Sequence, residues 1–243
     1  MNLEATKQFI INFIRAQAGD KPVILGLSGG LDSSVIAYLA VEALGVDKVS
    51  VLIMPSDTNT AEDLELSKQV AENLNIQYSI FNIDELTKSY INALDFEVNK
   101  MTLGNLKARA RMTLLYSKAN EINGLVLGTG NKTEIMTGYS TKHGDAGCDI
   151  LPIGDLYKTE ERELAKYIGV PQEIIDRPPT AGLWEGQTDE EELGITYENL
   201  DKILIALENN VGLSDFDKNE VELVQNLIKN SEHKRHLPPI CKL

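Results

Sequence analysis

The chain has 243 residues, of which 42% are apolar and 25% charged, the composition of an ordinary globular protein that is large enough to bury a core. Its formal net charge of -14 argues against nucleic acid as the main partner, because neutralising phosphates requires clustered lysines and arginines. Cys148 and Cys241 lack zinc-ligand spacing, and the sequence shows neither a leader peptide nor a membrane-length apolar run, so we expect a cytoplasmic protein with reduced thiols and no membrane span.

Apolar runs alternate with amphipathic stretches along the first half of the chain. Their periodicity predicts helices at 2–17, 32–44, 61–74, 84–94 and 104–122, and strands at 22–27, 49–54, 76–80 and 125–127. This alternation indicates right-handed βαβ units, so we expect an α/β fold, a doubly wound parallel sheet flanked by helices. Later helices are predicted at 159–168, 196–207 and 215–230, and loops at 129–155 and 176–194. We expect one domain spanning residues 1–243.

The turn between the first strand and the next helix has the features of a phosphate-binding loop. Gly29 and Gly30 let a ligand approach the backbone, and the helix start offers free N–H groups and the positive end of a dipole. The spacing fits neither a Walker A loop nor a GxGxxG fingerprint. Asp32 would repel phosphate there, and a bridging Mg²⁺ resolves the conflict. The loop residues expected to bind ATP are Gly26, Leu27, Ser28, Gly29, Gly30, Leu31, Asp32 and Ser33.

Ser28-Gly29-Gly30-Leu31-Asp32-Ser33 after a strand resembles the signature of the PP-loop ATP pyrophosphatases. That resemblance implies cleavage of ATP to AMP and pyrophosphate. It also implies the adenine nucleotide alpha hydrolase-like fold, a Rossmann-like three-layer architecture. NAD synthetases, GMP synthetases, asparagine and argininosuccinate synthetases and tRNA-modifying enzymes share the loop, so the loop alone does not choose among them.

Segments further along the chain resemble NAD synthetase motifs, in the order of that family, up to residue 235. They are Leu103–Met112, Gly128–Glu134, Tyr139–Asp145, Leu156–Thr159, Pro179–Leu183, Glu191–Tyr197 and Glu232–Arg235. Three positions depart from the commonest pattern, His143, Cys148 and Gly182, and none of them is a proposed ligand.

The resemblance implies ATP-dependent amidation of deamido-NAD to NAD through an NAD-adenylate, with ammonia as the nitrogen donor. By motif, Asp32 and Lys158 would be catalytic, and Asp32 and Glu134 would bind Mg²⁺. Further ATP contacts would come from Thr129, Lys158 and Thr180, and deamido-NAD contacts from Arg109, Lys142, Asp149, His233 and Lys234. The loop at 54–56 would border the adenine.

Other functions are weighed against this interpretation. A GMP synthetase would need a dimerisation domain, and a tRNA thiolase would need catalytic cysteines and a positive surface. A nucleotide sensor that does not turn over is disfavoured by the presence of both Asp32 and Glu134. No amide-hydrolysing domain is expected, so ammonia would be free or supplied by a separate partner. The resemblance also implies a homodimer.

Overall fold

The computed structural model describes residues 1–184 and 186–242, and strands and helices alternate along its first half. The elements there are α1 (Leu3–Ala18), β1 (Val23–Gly26), α2 (Leu31–Leu44), β2 (Val49–Ile53), α3 (Ala61–Asn73), β3 (Tyr78–Ile80), α4 (Asp84–Asn92), α5 (Lys100–Ile122) and β4 (Leu125–Val126). Helices follow: α6 (Lys132–Thr137), α7 (Lys158–Ile168), α8 (Gln172–Ile175), α9 (Asp189–Leu193), α10 (Tyr197–Glu208), α11 (Lys218–Asn230) and α12 (Glu232–Arg235).

The described strands form a parallel sheet in the order β3-β2-β1-β4. Val23 of β1 pairs with Val49 of β2 on one side and with Leu125 of β4 on the other. The chain runs outward from β1 to β3 and then crosses back to β4, so the strand order reverses between β1 and β4. Ligands bind at such switch points, outside the carboxyl ends of the strands. The predicted α/β fold with a doubly wound parallel sheet is confirmed.

Both faces of the sheet are covered at β1 and β2, which explains why β1 is apolar throughout and β2 is apolar except for Ser50. Val23 and Leu25 point into a core shared with α1, α2, α3 and α7. Ile24, Leu52 and Val126 point the other way, into a core shared with α5. No helix in residues 1–184 and 186–242 combines the length and apolar character that crossing a bilayer would need.

A separate apolar core joins the helices of the second half. Leu200, Ile203 and Leu204 of α10 are fully buried there, together with Val224 of α11 and with partly buried side chains next to α6. This core fixes α6 and the start of α7 beside the sheet edge at β4.

Two segments that were predicted as loops contain short helices. Within 129–155 lies α6, and within 176–194 lies α9. Both are too short for apolar periodicity to reveal them. Their termini nevertheless carry sequence signals: Asn131 and Glu134 form a capping box at the start of α6, and Gly194 ends α9 with a φ of 72°.

The loop between β1 and α2 is held in a conformation that only glycine adopts easily. Gly29 has a φ of +77°, and a Cβ atom there would lie 2.6 Å from the backbone oxygen of Asp63. The hydroxyl of Ser28 accepts a hydrogen bond from the Gly30 N–H at 3.2 Å, which closes the turn. A side chain at position 29 would therefore force the loop away from α3.

We expect Gly29→Ala to lower the free energy of unfolding by about 2 kcal/mol or more, because it adds a backbone clash to the strain of positive φ. Gly169→Ala is the matched control: Gly169 has a φ of +85° with nothing within 4 Å of its missing Cβ, so only the smaller conformational cost applies. Urea unfolding of both variants measures the difference. Equal losses in the two variants would show that the contact with Asp63 is not restrictive.

Candidate active site

The carboxyl ends of β1 and β4 lie side by side, and the N-terminus of α2 opens directly above them. Gly30 is the N-cap of α2 and has no side chain to satisfy the first-turn N–H groups. The unpaired N–H groups of a first turn and the positive end of the helix dipole favour an anion at this position. The loop predicted to bind phosphate therefore has donors available where the sheet topology places a ligand.

Asp32, in the first turn of α2, is paired with Lys158, the first residue of α7. The Lys158 Nζ lies 2.6 Å from both carboxylate oxygens of Asp32. Only 3% of the Lys158 side chain is exposed, against 24% for Asp32. The two residues predicted to be catalytic thus form one nearly buried ion pair at the mouth of the phosphate loop.

Two further carboxylates surround this pair, and we call Asp32, Glu134 and Glu161 the carboxylate cluster. Glu161, one turn along α7, is fully buried and lies 3.4 Å from the Lys158 Nζ. Its second oxygen, Oε1, has no hydrogen-bond partner in the described part of the chain. Lys158 therefore pairs with Asp32 and Glu161 and also feels the charge of Glu134, so ionising all three carboxyl groups would leave an excess of negative charge that is costly in a buried site.

The members of the carboxylate cluster differ in the direction of their pKa shifts. Burial alone disfavours the charged form of Asp32, but the Lys158 ammonium together with hydrogen bonds from Glu161 and Asn131 outweighs this and keeps the pKa of Asp32 below its usual value. Burial and the nearby Asp32 charge raise the pKa of Glu134 and of Glu161 well above the usual range of a glutamate. Burial favours the neutral amine of Lys158, but the surrounding carboxylates raise its pKa.

The cluster fits a magnesium ion by its chemistry. Carboxylate oxygens are the protein ligands that Mg²⁺ prefers, and a divalent cation would offset the unbalanced negative charge. Within residues 1–184 and 186–242, no group of three His, Cys, Asp or Glu side chains is arranged to hold a metal ion. A metal ion at Asp32 and Glu134 would therefore need oxygens from a bound phosphate as well.

Asp201 of α10 helps to position Lys158. Asp201 is 1% exposed and accepts hydrogen bonds from the Thr159 N–H at 2.8 Å and from the Thr133 hydroxyl at 2.5 Å. The Thr133 hydroxyl in turn accepts from the Lys158 N–H at 3.0 Å. Asp201 thus links the starts of α6 and α7, the two helices that carry Glu134 and Lys158.

Four of the residues predicted to bind deamido-NAD meet at the loop after α6, and we call Arg109, Lys142, His233 and Lys234 the basic cluster. The Arg109 guanidinium donates to the Lys142 carbonyl at 3.2 Å, and the Lys142 Nζ donates to the His233 carbonyl at 2.8 Å. Lys234 Nζ donates to the carbonyls of Gly138 and Ser140, each at 2.6 Å. These contacts draw together residues from α5, the 138–142 loop and α12.

The basic cluster keeps its positive charge unneutralised. Its contacts are to backbone carbonyls, and in the described part of the chain no ion pair involves Arg109, Lys142 or Lys234. Acidic residues outnumber basic ones in this chain, 37 to 23, so three cations gathered in one place without carboxylate partners create a locally positive surface on an acidic protein. Such a surface is suited to bind phosphates.

The remaining predicted site residues lie apart from these two clusters. The Asp149 carboxylate accepts from the Val126 N–H at 2.8 Å and from the Tyr116 hydroxyl at 3.1 Å, and so fixes the edge of the sheet. Thr129 lies in the turn after β4, beyond Leu127 and Gly128. Thr180 is exposed, and its hydroxyl accepts from the Gly182 N–H at 3.1 Å.

Arg109 and Arg111 lie in the same predicted motif, Leu103–Met112, but their side chains diverge. Arg111 turns under the loop after β2, where its Nε donates to the Met54 carbonyl at 3.0 Å and its Nη2 donates to Asn59 at 3.2 Å. Burial lowers the pKa of Arg111 to about 10. This loop is the one expected to border the adenine, so Arg111 supports the loop rather than the basic cluster.

Sequence reasoning missed three residues of the site, which are Asn131, Glu161 and Asp201. Asn131 carried a detectable signal, because Asn followed three residues later by Glu is a capping box. Glu161 and Asp201 lie in ordinary helical sequence, and only the packing of α7 and α10 against the sheet edge gives them their roles.

Comparison with known proteins identifies close relatives. A sequence profile of the family described as NAD synthase matches residues 2–238. The chain is 52% identical to the NH(3)-dependent NAD(+) synthetase of Methanocaldococcus jannaschii, over 98% of this chain and 96% of that protein. An NMN synthetase structure from Francisella tularensis superposes with a TM-score of 0.92 at 33% identity, over 100% of both chains. The NH3-dependent NAD synthetase of Campylobacter jejuni superposes with a TM-score of 0.87 at 32% identity, again over 100% of both.

The raised pKa of Glu161 predicts how stability depends on pH. A carboxyl group whose folded pKa exceeds its unfolded pKa binds its proton more tightly when folded, so its contribution to stability falls as pH rises above the usual pKa of a glutamate. Glu161→Gln removes that dependence. In EDTA, we expect the free energy of unfolding of E161Q minus that of wild type to increase by at least about 1 kcal/mol from pH 5 to pH 8.

Glu198→Gln is the control for this measurement. Glu198 is exposed and pairs with Lys202, whose hydrogen bond lowers the pKa of Glu198. Its contribution to stability is lost only as pH falls below the ordinary glutamate range, so E198Q should follow wild type from pH 5 to pH 8. A flat difference between E161Q and wild type over this window would contradict the assigned pKa shift.

Proposed function

The chain belongs to the NAD synthase family and is a ligase that forms a carbon–nitrogen bond, and from this we propose that it amidates deamido-NAD to NAD with ammonia. ATP is the second substrate, and AMP and pyrophosphate are released. The alignment with the M. jannaschii enzyme, which is named for its dependence on ammonia, extends over nearly the whole of both chains and supports this proposal. We further propose that a single domain, residues 1–243, carries the entire reaction.

The observation that carries the proposal is the Asp32–Lys158 pair at the open N-terminus of α2. The nicotinate carboxylate oxygen attacks the α-phosphorus of ATP, the bond from that phosphorus to the bridging oxygen breaks, and pyrophosphate leaves with the electron pair. Charge builds up on the leaving pyrophosphate, where the first-turn N–H groups of α2 and the Lys158 ammonium are placed to stabilise it.

The second half of the reaction forms the amide. Ammonia attacks the carbonyl carbon of the NAD-adenylate, the nitrogen loses a proton, and the bond to the phosphate oxygen breaks to release AMP. The protein supplies positioning and charge neutralisation in this scheme, since the chemistry needs no side-chain nucleophile. Mg²⁺, held by Asp32 and Glu134 together with ATP oxygens, would neutralise phosphate charge when bound.

The basic cluster is proposed to bind the phosphates of the acceptor. Its cations have no carboxylate partners, and both substrates are polyanions. The Thr180 loop adjoins the loop after β2, because the Thr58 hydroxyl donates to the Gly182 carbonyl at 2.9 Å. Thr129 and Thr180 would therefore contact ATP from opposite ends of the site, while the role of Asp149 in deamido-NAD binding stays a prediction.

A second acceptor is favoured by one comparison. The similarity to the NMN synthetase of F. tularensis extends over the whole of both chains, so nicotinate mononucleotide is the alternative substrate. Both acceptors present the same carboxylate, and they differ in the adenylate half that only deamido-NAD carries. The ratio of kcat/KM values for the two acceptors decides between them.

We propose a cytoplasmic homodimer. Cys148 and Cys241 form no disulfide, which is consistent with a reducing compartment. Tyr90, Phe96 and Met101, in the segment from α4 to α5, are exposed apolar side chains that a second copy would cover. The molar mass measured by light scattering tests the dimer.

The purified protein with ATP, Mg²⁺, ammonium and deamido-NAD should yield equal amounts of NAD, AMP and pyrophosphate. Chromatography of the nucleotides and a pyrophosphate assay measure these products. If no AMP were formed, the synthetase function would be excluded, and the alternative function, a nucleotide sensor that does not turn over, would remain. Glutamine in place of ammonium should support little turnover.

Asp32→Asn should lower kcat/KM by about 100-fold or more, because it removes the negative charge that orients Lys158 and removes a carboxylate metal ligand. Asp155→Asn is the matched control: Asp155 pairs with Lys132 at 3.0 Å, away from the carboxylate cluster. It should retain nearly full activity. Circular dichroism checks that both variants are folded, and normal kinetics in folded D32N would count against the proposed mechanism.

Arg109→Ala should raise the KM for deamido-NAD by about 10-fold, a loss of about 1.4 kcal/mol, and leave the KM for ATP within about two-fold of wild type. Lys118→Ala on the same helix is the control, since Lys118 pairs with Glu121 outside the basic cluster. Steady-state kinetics with each substrate varied in turn separate the two effects. If R109A changed only the KM for ATP, the basic cluster would be assigned to ATP binding instead of deamido-NAD binding.

A further inference from the structure

Asn131 hydrogen bonds to every member of the carboxylate cluster. It is 0% exposed, and its Nδ2 donates to Asp32 at 2.8 Å and to Glu161 at 3.3 Å. Its Oδ1 accepts from the Glu134 N–H at 3.0 Å, and its own N–H donates to the Glu134 carboxylate at 3.2 Å. Both hydrogens of the amide and its oxygen are therefore used.

These bonds join elements that are distant in sequence. Asp32 starts α2 and Glu134 starts α6, and in residues 1–184 and 186–242 Asn131 is the residue that hydrogen bonds to both. The capping box fixes Glu134 relative to Asn131, and the Nδ2 bond fixes Asp32 relative to the same side chain. Asn131 therefore connects the two proposed metal ligands directly, whereas the link through Lys158 and Asp201 is indirect.

The neutral amide suits this position. A lysine would hold the carboxylates together but would compete with a bound cation for their charge, and an aspartate would repel Asp32. An asparagine supplies two donors without adding charge, so the carboxylates stay close together and their negative charge stays available.

We propose that Asn131 is a positioning residue that holds Asp32 and Glu134 at the separation needed to bind a divalent cation together with the ATP phosphates. The inference rests on the metal role in the proposed function. Residues that hold metal ligands by hydrogen bonds typically affect metal affinity by about 10–100-fold when replaced. Asn131 acts on the metal through its neighbours and has no free polar atom left to contact it.

Asn131→Ser tests the proposal. Serine caps helices well, so α6 still begins normally, but its short side chain cannot bridge to Asp32 and Glu161. We expect Mn²⁺ binding, measured by calorimetry in the presence of α,β-methylene-ATP, to weaken by about 10-fold or more. The half-saturating Mg²⁺ concentration for turnover should rise in parallel, and binding of the analogue without metal should stay unchanged.

Asn199→Ser is the matched control. Asn199 also donates its Nδ2 to a carboxylate, that of Glu220 at 3.1 Å, but it lies between α10 and α11 outside the site. N199S should bind Mn²⁺ as wild type does. If N131S does not fold, Asn131→Thr gives the same comparison, because threonine also caps helices.

Unchanged Mn²⁺ affinity in a folded N131S or N131T variant would overturn the inference. So would a lower kcat at every Mg²⁺ concentration with no change in half-saturation, or a wild-type protein that binds no Mn²⁺ with the analogue. Failure of the proposed function is distinguishable from these results: wild type would make no NAD, while its Mn²⁺ titration would still report whether Asn131 organises the site.

Discussion

The site depends on one buried ammonium group, that of Lys158, which pairs with Asp32 and Glu161 and lies in the field of Glu134. Removing charges from water is expensive, and an ion pair with surplus negative charge is a poor way to stabilise a fold. The surrounding structure nevertheless holds this arrangement in place. Asp201 of α10 accepts a hydrogen bond from the start of α7, and Asn131 at the start of α6 donates to Asp32. Perturbed carboxylates concentrated in a cleft are typical of functional sites, and here they adjoin the open end of a helix.

The sheet order explains why such distant residues meet. Because β4 returns to the far side of β1, the turn that follows β4 lies beside the phosphate loop. Asp32 and Asn131 are thereby brought within hydrogen-bond distance although 99 residues separate them. The helices after β4 then support this edge: α10 has few contacts with the sheet core, and its buried Asp201 faces the site.

Most of the fold could be predicted from the sequence because strong apolar periodicity marks it. The strands of the sheet fall within the predicted ranges, and the signal is strongest for β1, an apolar run that both faces of the sheet bury. The short helices α6 and α9 escaped because they span fewer than two turns, and the capping residues that define them are polar. Local sequence thus specified the frame of the molecule better than the details of its long connections.

The site was predictable only where a residue stands in a recognisable motif. Asp32 and Lys158 were each predicted to be catalytic, but their direct pairing was not, because 126 residues separate them and either could have faced a ligand alone. Glu161 lies on α7 like any helical glutamate, and its burial arises from packing against α2. Arg109 and Arg111 belong to one predicted motif, yet a two-residue step turns helical side chains about 200° apart, so one reaches the 138–142 loop and the other the loop after β2.

Within the residues that the structure describes, some lysines of the chain pair with carboxylates, and those of the basic cluster do not. Lys107, Lys132 and Lys158 all pair with carboxylates, as expected when acidic residues are in excess. The cations of the basic cluster instead donate to backbone carbonyls, which orient them without cancelling their charge. In a protein of net charge -14, that choice leaves a local positive field beside a carboxylate cluster. Under the proposed function the two fields would serve different parts of the substrates: the positive one would attract phosphates directly, and the negative one would bind them through a divalent cation.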